Sequence, residues 1–377
     1  MNAATGQTDT NRGSGMPFST SLIDPAVARY ERERDRYLKL AVRVAEICQS
    51  VIVEGDAVRA QVTSRTKTPQ SFRGKLERFS RQEDKNYADV DEIFGGVTDF
   101  AGVRVATYSP EHEGKVTQRL CGLFVGPGGS NTEVHVDPKN KLDPAKARFY
   151  RATHCQVHLR DEDLVGSYEN LRGASCEVQV CSMMAHVWNE IEHDIGYKPE
   201  GAGPGPAELG LLESLGHLAR SGDATITRLL EANEVRLQNR QGEFSDVHDF
   251  VARLRERFPE ADLSVNAGQA FDAAQRLGIK SPDGFEAIVG TGLDAKTAKL
   301  AAREFNQSAI EVGRSDARLN PASADLITVM LLPALAQLKY EERSDIAGRL
   351  KSGRLAVLLE VARDIAARPA GAERLAG

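Results

Sequence analysis

Four short stretches carry polar residues where packed elements would have apolar ones. Residues 65–76 read RTKTPQSFRGKL, 99–105 read DFAGVRV, 150–154 read YRATH and 177–180 read EVQV. Successive side chains of a strand point to opposite faces. Read with that period, Arg65 and Lys67 oppose Val58, Ala60 and Val62, while Arg104 opposes Val103 and Val105. Tyr150 and His154 share a face, as do Glu177 and Gln179, and the other face is Val, Ala, Cys or Leu. The pattern predicts one sheet with one packed face and one face of cations, a carboxylate, an amide and an aromatic. A merely wet face would favour Lys, Glu and Thr.

Such a face suits phosphoryl chemistry. Arg65, Lys67, Lys75 and Arg104 could neutralise a polyphosphate, the arginines through forked hydrogen bonds. Ser71 lies near a helix N-terminus, where free N–H groups and the dipole favour an anion. Asp99 and Glu177 could hold Mg2+, which takes one or two carboxylates plus phosphate oxygens. Tyr150 offers a ring on which a base can stack. Plainer readings exist for each: a solvated basic strand and helix, a turn or cap at Asp99, a cross-strand core pair of Tyr150 and His154, and an exposed Glu177.

The elements around these stretches follow from periodicity and turn chemistry. Residues 1–22 include a Gly-, Ser- and Thr-rich segment that cannot bury a face, so disorder is expected there. Asp24-Pro25 reads as a helix start, and Val27, Tyr30, Tyr37, Ala41, Val44, Cys48 and Val51 make a long amphipathic helix. Strands are expected at 58–63, 98–108, 132–136, 149–159 and 176–180. Helices are expected at 69–79, 111–124, 182–197 and 207–239, with a polar loop over 81–96. A boundary near 239–246 divides a domain at 23–242 from a helical module at 243–377. The run DLITVMLLPALAQL is too short for a bilayer, which needs ~20 apolar residues, and reads as a buried helix that Pro333 interrupts.

Composition narrows the class. With 41% hydrophobic and 27% charged residues in 377, and a net charge of -6, the chain is globular and carries no overall basic signature for nucleic acid. The five cysteines form no C-x-x-C pair, so buried reduced thiols of a cytosolic protein are expected rather than zinc or disulfides. His186, Glu190 and His193 lack H-E-x-x-H spacing and read as packing and hydrogen-bonding groups around a core Trp188. Neither a membrane span nor a signal segment is expected.

Taken in order, RTKTPQSFRGKL, DFAGVRV, YRATH and EVQV, followed by HVWNEIEHDIGYK at 186–198, resemble the motifs of the RelA/SpoT synthetase domain, over about 25–240. The resemblance implies an α+β, nucleotidyltransferase-like mixed sheet flanked by helices, here followed by an all-helical C-terminal module. It implies a pyrophosphokinase that moves pyrophosphate from ATP to the ribose 3′-hydroxyl of GTP or GDP, giving AMP and the alarmone (p)ppGpp. By the same resemblance Arg65 lies over adenine, Lys67, Ser71 and Lys75 hold donor phosphates, Arg104 contacts phosphate and Asp99 binds Mg2+. Tyr150 stacks on the acceptor base, Lys146 and His154 approach its phosphates, Glu177 binds metal or takes the 3′-hydroxyl proton, and Gln179 supports Glu177.

Two positions depart from the family pattern. Cys181 stands where an Arg usually follows E-x-Q-x, and Phe149 where a Gly usually precedes the stacking Tyr. Both fall on the acceptor side, which leaves two alternatives open: a tRNA 3′-CCA end as acceptor, as in the toxin branch, or an inactive nucleotide sensor. Homo-oligomer formation and a regulator bound by 243–377 also stay open.

Overall fold

The computed structural model describes residues 18–82, 85–129, 132–141, 143, 149–196, 204–290, 294–338 and 353–367. Within the stretch expected to be disordered, residues 18–22 are structured, and residues 1–17 lie outside the described residues. Phe18 is buried and Thr20–Leu22 form a 3-10 turn. Helix α1 (Ile23–Cys48) buries Val27, Tyr30, Tyr37, Leu40, Ala41, Val44 and Cys48, the stripe its sequence spells at three- and four-residue steps. Asp24 sits inside the first turn rather than capping it, and pairs with Arg73 at 2.6 Å.

The strands are β1 (Ala60–Thr66), β2 (Ala101–Thr107), β3 (His135–Asn140), β4 (Arg151–Val157) and β5 (Cys176–Ser182), joined as β1-β2-β5-β4-β3. β2 and β5 run parallel, and the other neighbours are antiparallel. The sheet is therefore mixed, as the α+β reading required. Two strand positions differ from expectation. β1 begins at Ala60, because Ala57 takes a left-handed φ of 48° just before it. β3 lies at 135–140 rather than 132–136, and Pro138 is tolerated within it because β3 is an edge strand.

Register aligns the polar residues in rows across the sheet. Arg65 pairs with Gly102, Gly102 with Glu177 and Glu177 with Gln156. The next row runs Thr63, Arg104, Gln179, His154 and Asp137. The opposite face supplies Val103, Val105, Val178, Val180, Cys155 and Val157 to a core shared with α1, α2 (Pro69–Phe79), α3 (Val90–Gly96) and α4 (Glu111–Leu123). Helix α3 falls in the stretch expected to be a loop. Asp89 caps it by accepting from the Glu92 N–H at 2.9 Å, and the Glu92 side chain reaches back to the Ala88 N–H.

Helix α5 (Met183–Gly196) follows β5 directly and packs on α6 (Pro206–Gln238). Trp188 is buried there and donates its Nε1–H to the carbonyl of Leu212 at 3.1 Å. From residue 247 onward a second buried cluster forms from α7 (Val247–Leu254), α8 (Ala267–Arg276), α9 (Gly284–Val289), α10 (Ala295–Glu311), α11 (Asp325–Ala336) and α12 (Gly353–Ala366). Pro333 lies within α11 and does not break it. The two clusters meet at Asp56, which accepts from the Asn266 N–H at 2.9 Å and from Arg119 Nη2 at 3.3 Å. The backbones approach so closely there that a Cβ on Gly268 would fall 2.1 Å from the carbonyl oxygen of Glu54.

Candidate active site

The half of the site around Asp99 rests on an aromatic floor. Tyr30, Phe72 and Phe100 pack with ring centroids 4.9 to 5.3 Å apart. Tyr30 donates its hydroxyl to the Lys67 carbonyl at 2.5 Å, and the Lys67 N–H donates to the Phe100 carbonyl at 3.0 Å. Lys67 is thereby pinned next to Asp99, the residue preceding Phe100. Its Nζ lies 2.8 Å from Asp99 Oδ2, while the Lys75 Nζ lies 2.8 Å from Oδ1.

Three charges thus meet in a partly buried place. Burial works against ionisation of Asp99, but the two ammonium groups outweigh it and hold its pKa below the usual carboxylate range. Burial also lowers the Lys67 pKa, even with Asp99 against it. Thr68 caps α2 by accepting from the Ser71 N–H at 3.1 Å, and its hydroxyl donates to the Ser71 hydroxyl at 2.8 Å. Ser71 is exposed at that helix start. Arg65 is exposed above Gly102, where a Cβ would come within 3.3 Å of its side chain, so the glycine leaves room for the arginine stem.

The other half is organised by Glu177. Its Oε1 accepts from Gln179 Nε2 at 2.7 Å, and its Oε2 from Gln156 Nε2 at 3.1 Å. His154 Nδ1 lies 3.3 Å from Oε2, and Tyr150 Oη 2.8 Å from His154 Nε2. A carboxylate can only accept, so Nδ1 carries the proton and, in the neutral ring, Nε2 accepts from the phenol. Burial, then the Glu177 charge, push the Tyr150 pKa up to about 12, which keeps the phenol a donor. Burial also opposes ionisation of Glu177, but the His154 and Gln179 hydrogen bonds win and hold its pKa below the usual range. Asp99 is near enough for its charge to oppose them. One face of Tyr150 already carries the Lys141 ammonium, 5.6 Å from the ring centroid.

Ten of the eleven residues singled out in the sequence therefore converge on one face and one helix start: Arg65, Lys67, Ser71, Lys75, Asp99, Arg104, Tyr150, His154, Glu177 and Gln179. Lys146 lies outside the described residues. Gln156 and Lys141 were missed, and Glu190, read only as a packing and hydrogen-bonding group, accepts from Arg104 Nη2 at 2.6 Å. Gln156 continues the His154 alternation and was legible in principle, whereas Lys141 and Glu190 reach the site from a strand end and from a separate helix.

The two departures have clear places. Phe149 turns away from the site and seats its ring on α6, where a Cβ at Gly216 would lie 2.2 Å from it, with Trp188 and His217 edge-on. Cys181 is buried beside Tyr150, Ala152 and Ala185, and burial pushes its thiol up to about 12, so an uncharged filler stands where the family pattern has a cation. Of the five free cysteines, Cys121 is exposed, against the expectation of burial, because it lies on the outer side of α4.

Residues 64–202 match the family model described as a region found in RelA / SpoT proteins. This stretch carries the match to RelA/SpoT proteins. It runs from β1 through α5 and contains every site residue named above. Among solved structures the chain is similar to small alarmone synthetase 1 from Bacillus subtilis, with 19% identity, 55% of this chain and 98% of that one covered, and a TM-score of 0.41. A structure of that protein bound to its product pppGpp gives 20% identity, 56% and 99% coverage, and a TM-score of 0.40. A GTP pyrophosphokinase family protein from Streptococcus pneumoniae gives 19%, 54% and 94%, and 0.41. No curated protein sequence matches the chain significantly. Among the described residues of the chain, no helix is long and apolar enough to cross a membrane.

The carboxylates of the RelA/SpoT region suit a divalent cation. Among the described residues no group of three or more His, Cys, Asp or Glu forms a dedicated metal cage. Asp99, however, is ionised and already draws a cation to each oxygen, and Glu177 is ionised nearby. Two carboxylates completed by phosphate oxygens are the donor set that Mg2+ prefers.

Proposed function

We propose that this RelA/SpoT region is an ATP-dependent pyrophosphokinase acting on the ribose 3′-hydroxyl of GTP or GDP. The observation that carries the reading is the pair of ionised, largely buried carboxylates, Asp99 just ahead of β2 and flanked by Lys67 and Lys75, and Glu177 on β5 flanked by His154, Gln156 and Gln179. Basic groups line the donor side and an aromatic with an imidazole lines the acceptor side, as a two-nucleotide reaction requires.

In this reading Lys67 and Lys75 leave Asp99 for the donor phosphates, helped by the hydroxyl and free N–H groups at the start of α2. Arg65 packs on the adenine and Arg104 contacts phosphate. Tyr150 stacks on the acceptor base. Glu177 takes the proton of the 3′-hydroxyl as its oxygen bonds to the β-phosphorus of ATP. The bond from that phosphorus to the α–β bridging oxygen breaks, and AMP leaves with the electron pair. Gln179, Gln156 and His154 fix the carboxylate's direction. Mg2+ held by Asp99 and Glu177 would offset charge on the transferring phosphates. The protein's contribution is alignment and charge neutralisation.

The test uses ATP labelled on its γ-phosphate with the full chain and Mg2+, offering GTP, GDP and bulk tRNA separately, with Asp99→Asn as control. Label on guanosine nucleotide, lost in the control, is the expected result. Label on tRNA would replace the acceptor, and no label on any of the three would overturn the reading.

A further inference from the structure

Arg104 is gripped by one edge. Its Nη2 donates to Glu190 Oε1 at 2.6 Å and lies 3.4 Å from Gln179 Oε1. Among the described residues its Nε and Nη1 have no hydrogen-bond partner, and neither is a buried orphan. The guanidinium is a rigid planar fork, so fixing one edge sets the direction of the other. Arg104 can only donate, so the amide oxygen of Gln179 must face it, which turns the amide NH2 toward Glu177.

We infer that Glu190 is a positioning residue of the active site: from α5 it anchors Arg104 so that the free guanidinium edge meets the donor phosphates and the Gln179 amide stays aimed at Glu177. This rests on the pyrophosphokinase reading. Packing does not explain the residue, since the Glu190 side chain is 49% exposed while that of Arg104 is 15% exposed. The anchor stands on a firm base, because Trp188, two residues earlier, locks α5 onto α6. Burial works against the Glu190 charge, but the Arg104 hydrogen bond outweighs it, with His186 and Arg65 adding to the effect, and the carboxylate stays ionised at neutral pH. Because the pair uses Nη2 alone, donor phosphate can take the other edge without displacing Glu190.

The full-length chain, Glu190→Ala, Glu190→Gln, Arg104→Ala and the double variant Arg104→Ala/Glu190→Ala serve as the test. Labelled transfer gives KM for ATP and kcat, and calorimetry gives ATP binding without acceptor. Glu190→Ala is expected to weaken ATP in both readouts about fivefold, with kcat changed less than about threefold. Glu190→Gln keeps an accepting oxygen and is expected to recover most of that loss, as a structural defect would not. The double variant is expected to match Arg104→Ala, because Glu190 acts through it. Unchanged or tighter ATP binding in Glu190→Ala, or additive penalties in the double variant, would overturn the inference while leaving an active wild type and its reading intact. A wild type that neither binds ATP nor transfers label would overturn both.

Discussion

Asp99 and Glu177 are both carboxylates, similarly buried and facing one site, yet their charges are balanced differently. Asp99 faces two full positive charges, Lys67 and Lys75, each 2.8 Å away. Glu177 faces the N–H dipoles of two amides and one imidazole. Full charges make Asp99 part of an ion cluster whose members depend on one another. Dipoles make Glu177 a directed acceptor that can take up a proton without leaving a cation stranded. That difference suits a metal and phosphate site on one side and a base on the other.

Removing the Asp99 charge should have the largest effect. Asp99→Asn leaves two ammonium groups facing each other, so stability should fall by about 3 kcal/mol, the range for breaking a buried pair. Transfer should fall at least about a thousandfold, since several kcal/mol of charge stabilisation go with the metal. Urea melts and labelled transfer would measure both. Glu177→Gln should separate the two effects: rate down about a hundredfold or more, with stability changed by less than about 1 kcal/mol because a glutamine oxygen can still accept from its neighbours. Equal destabilisation by the two variants would break the comparison.

Acid sharpens it. Both carboxylates have folded pKa values below their unfolded ones, so each adds stability that is present above about pH 4 and lost as pH falls through the lowered folded value. Midpoints of thermal unfolding between pH 2 and 6 should therefore fall less steeply in Asp99→Asn and in Glu177→Gln than in the unmodified chain, since each variant lacks one group that must be protonated. Parallel curves in all three proteins would contradict the pKa directions. The smallest effect belongs to Tyr150→Phe, which keeps the ring but deletes the phenol's bond to His154. About 1 kcal/mol of orientation should be lost, seen in kcat, while KM for GTP stays near its original value.

Much of this site was legible because strands repeat with a period of two. Once Arg65, Arg104, His154, Glu177 and Gln179 were placed opposite Val, Ala and Cys, a shared face followed without knowledge of strand order. Gln156 was legible by the same rule and was passed over. Glu190 was not, since nothing in HVWNEIEH says which α5 position will face a strand far back in the sequence. Helix α3 could have been read from the Asp89 and Glu92 capping pair. The β3 shift had a different cause: an edge strand tolerates Pro138, and edge status depends on the sheet order.

Local chemistry, then, was settled by the sequence itself: a polar strand face, a basic helix start after Thr68-Pro69, two acidic residues behind short apolar runs, and a long helical C-terminal stretch. These follow from side-chain period, capping and composition, which act within a few residues. The tertiary structure alone decided that Asp99 would sit between two lysines, that Glu177 would be held by His154, Gln156 and Gln179, and that Phe149 would fill the space left by Gly216. Apart from Glu177 and Gln179, which are neighbours on one strand, those pairings join residues well separated in the chain, and only the register of the five-stranded sheet and the docking of the helices on it bring them within a few ångströms.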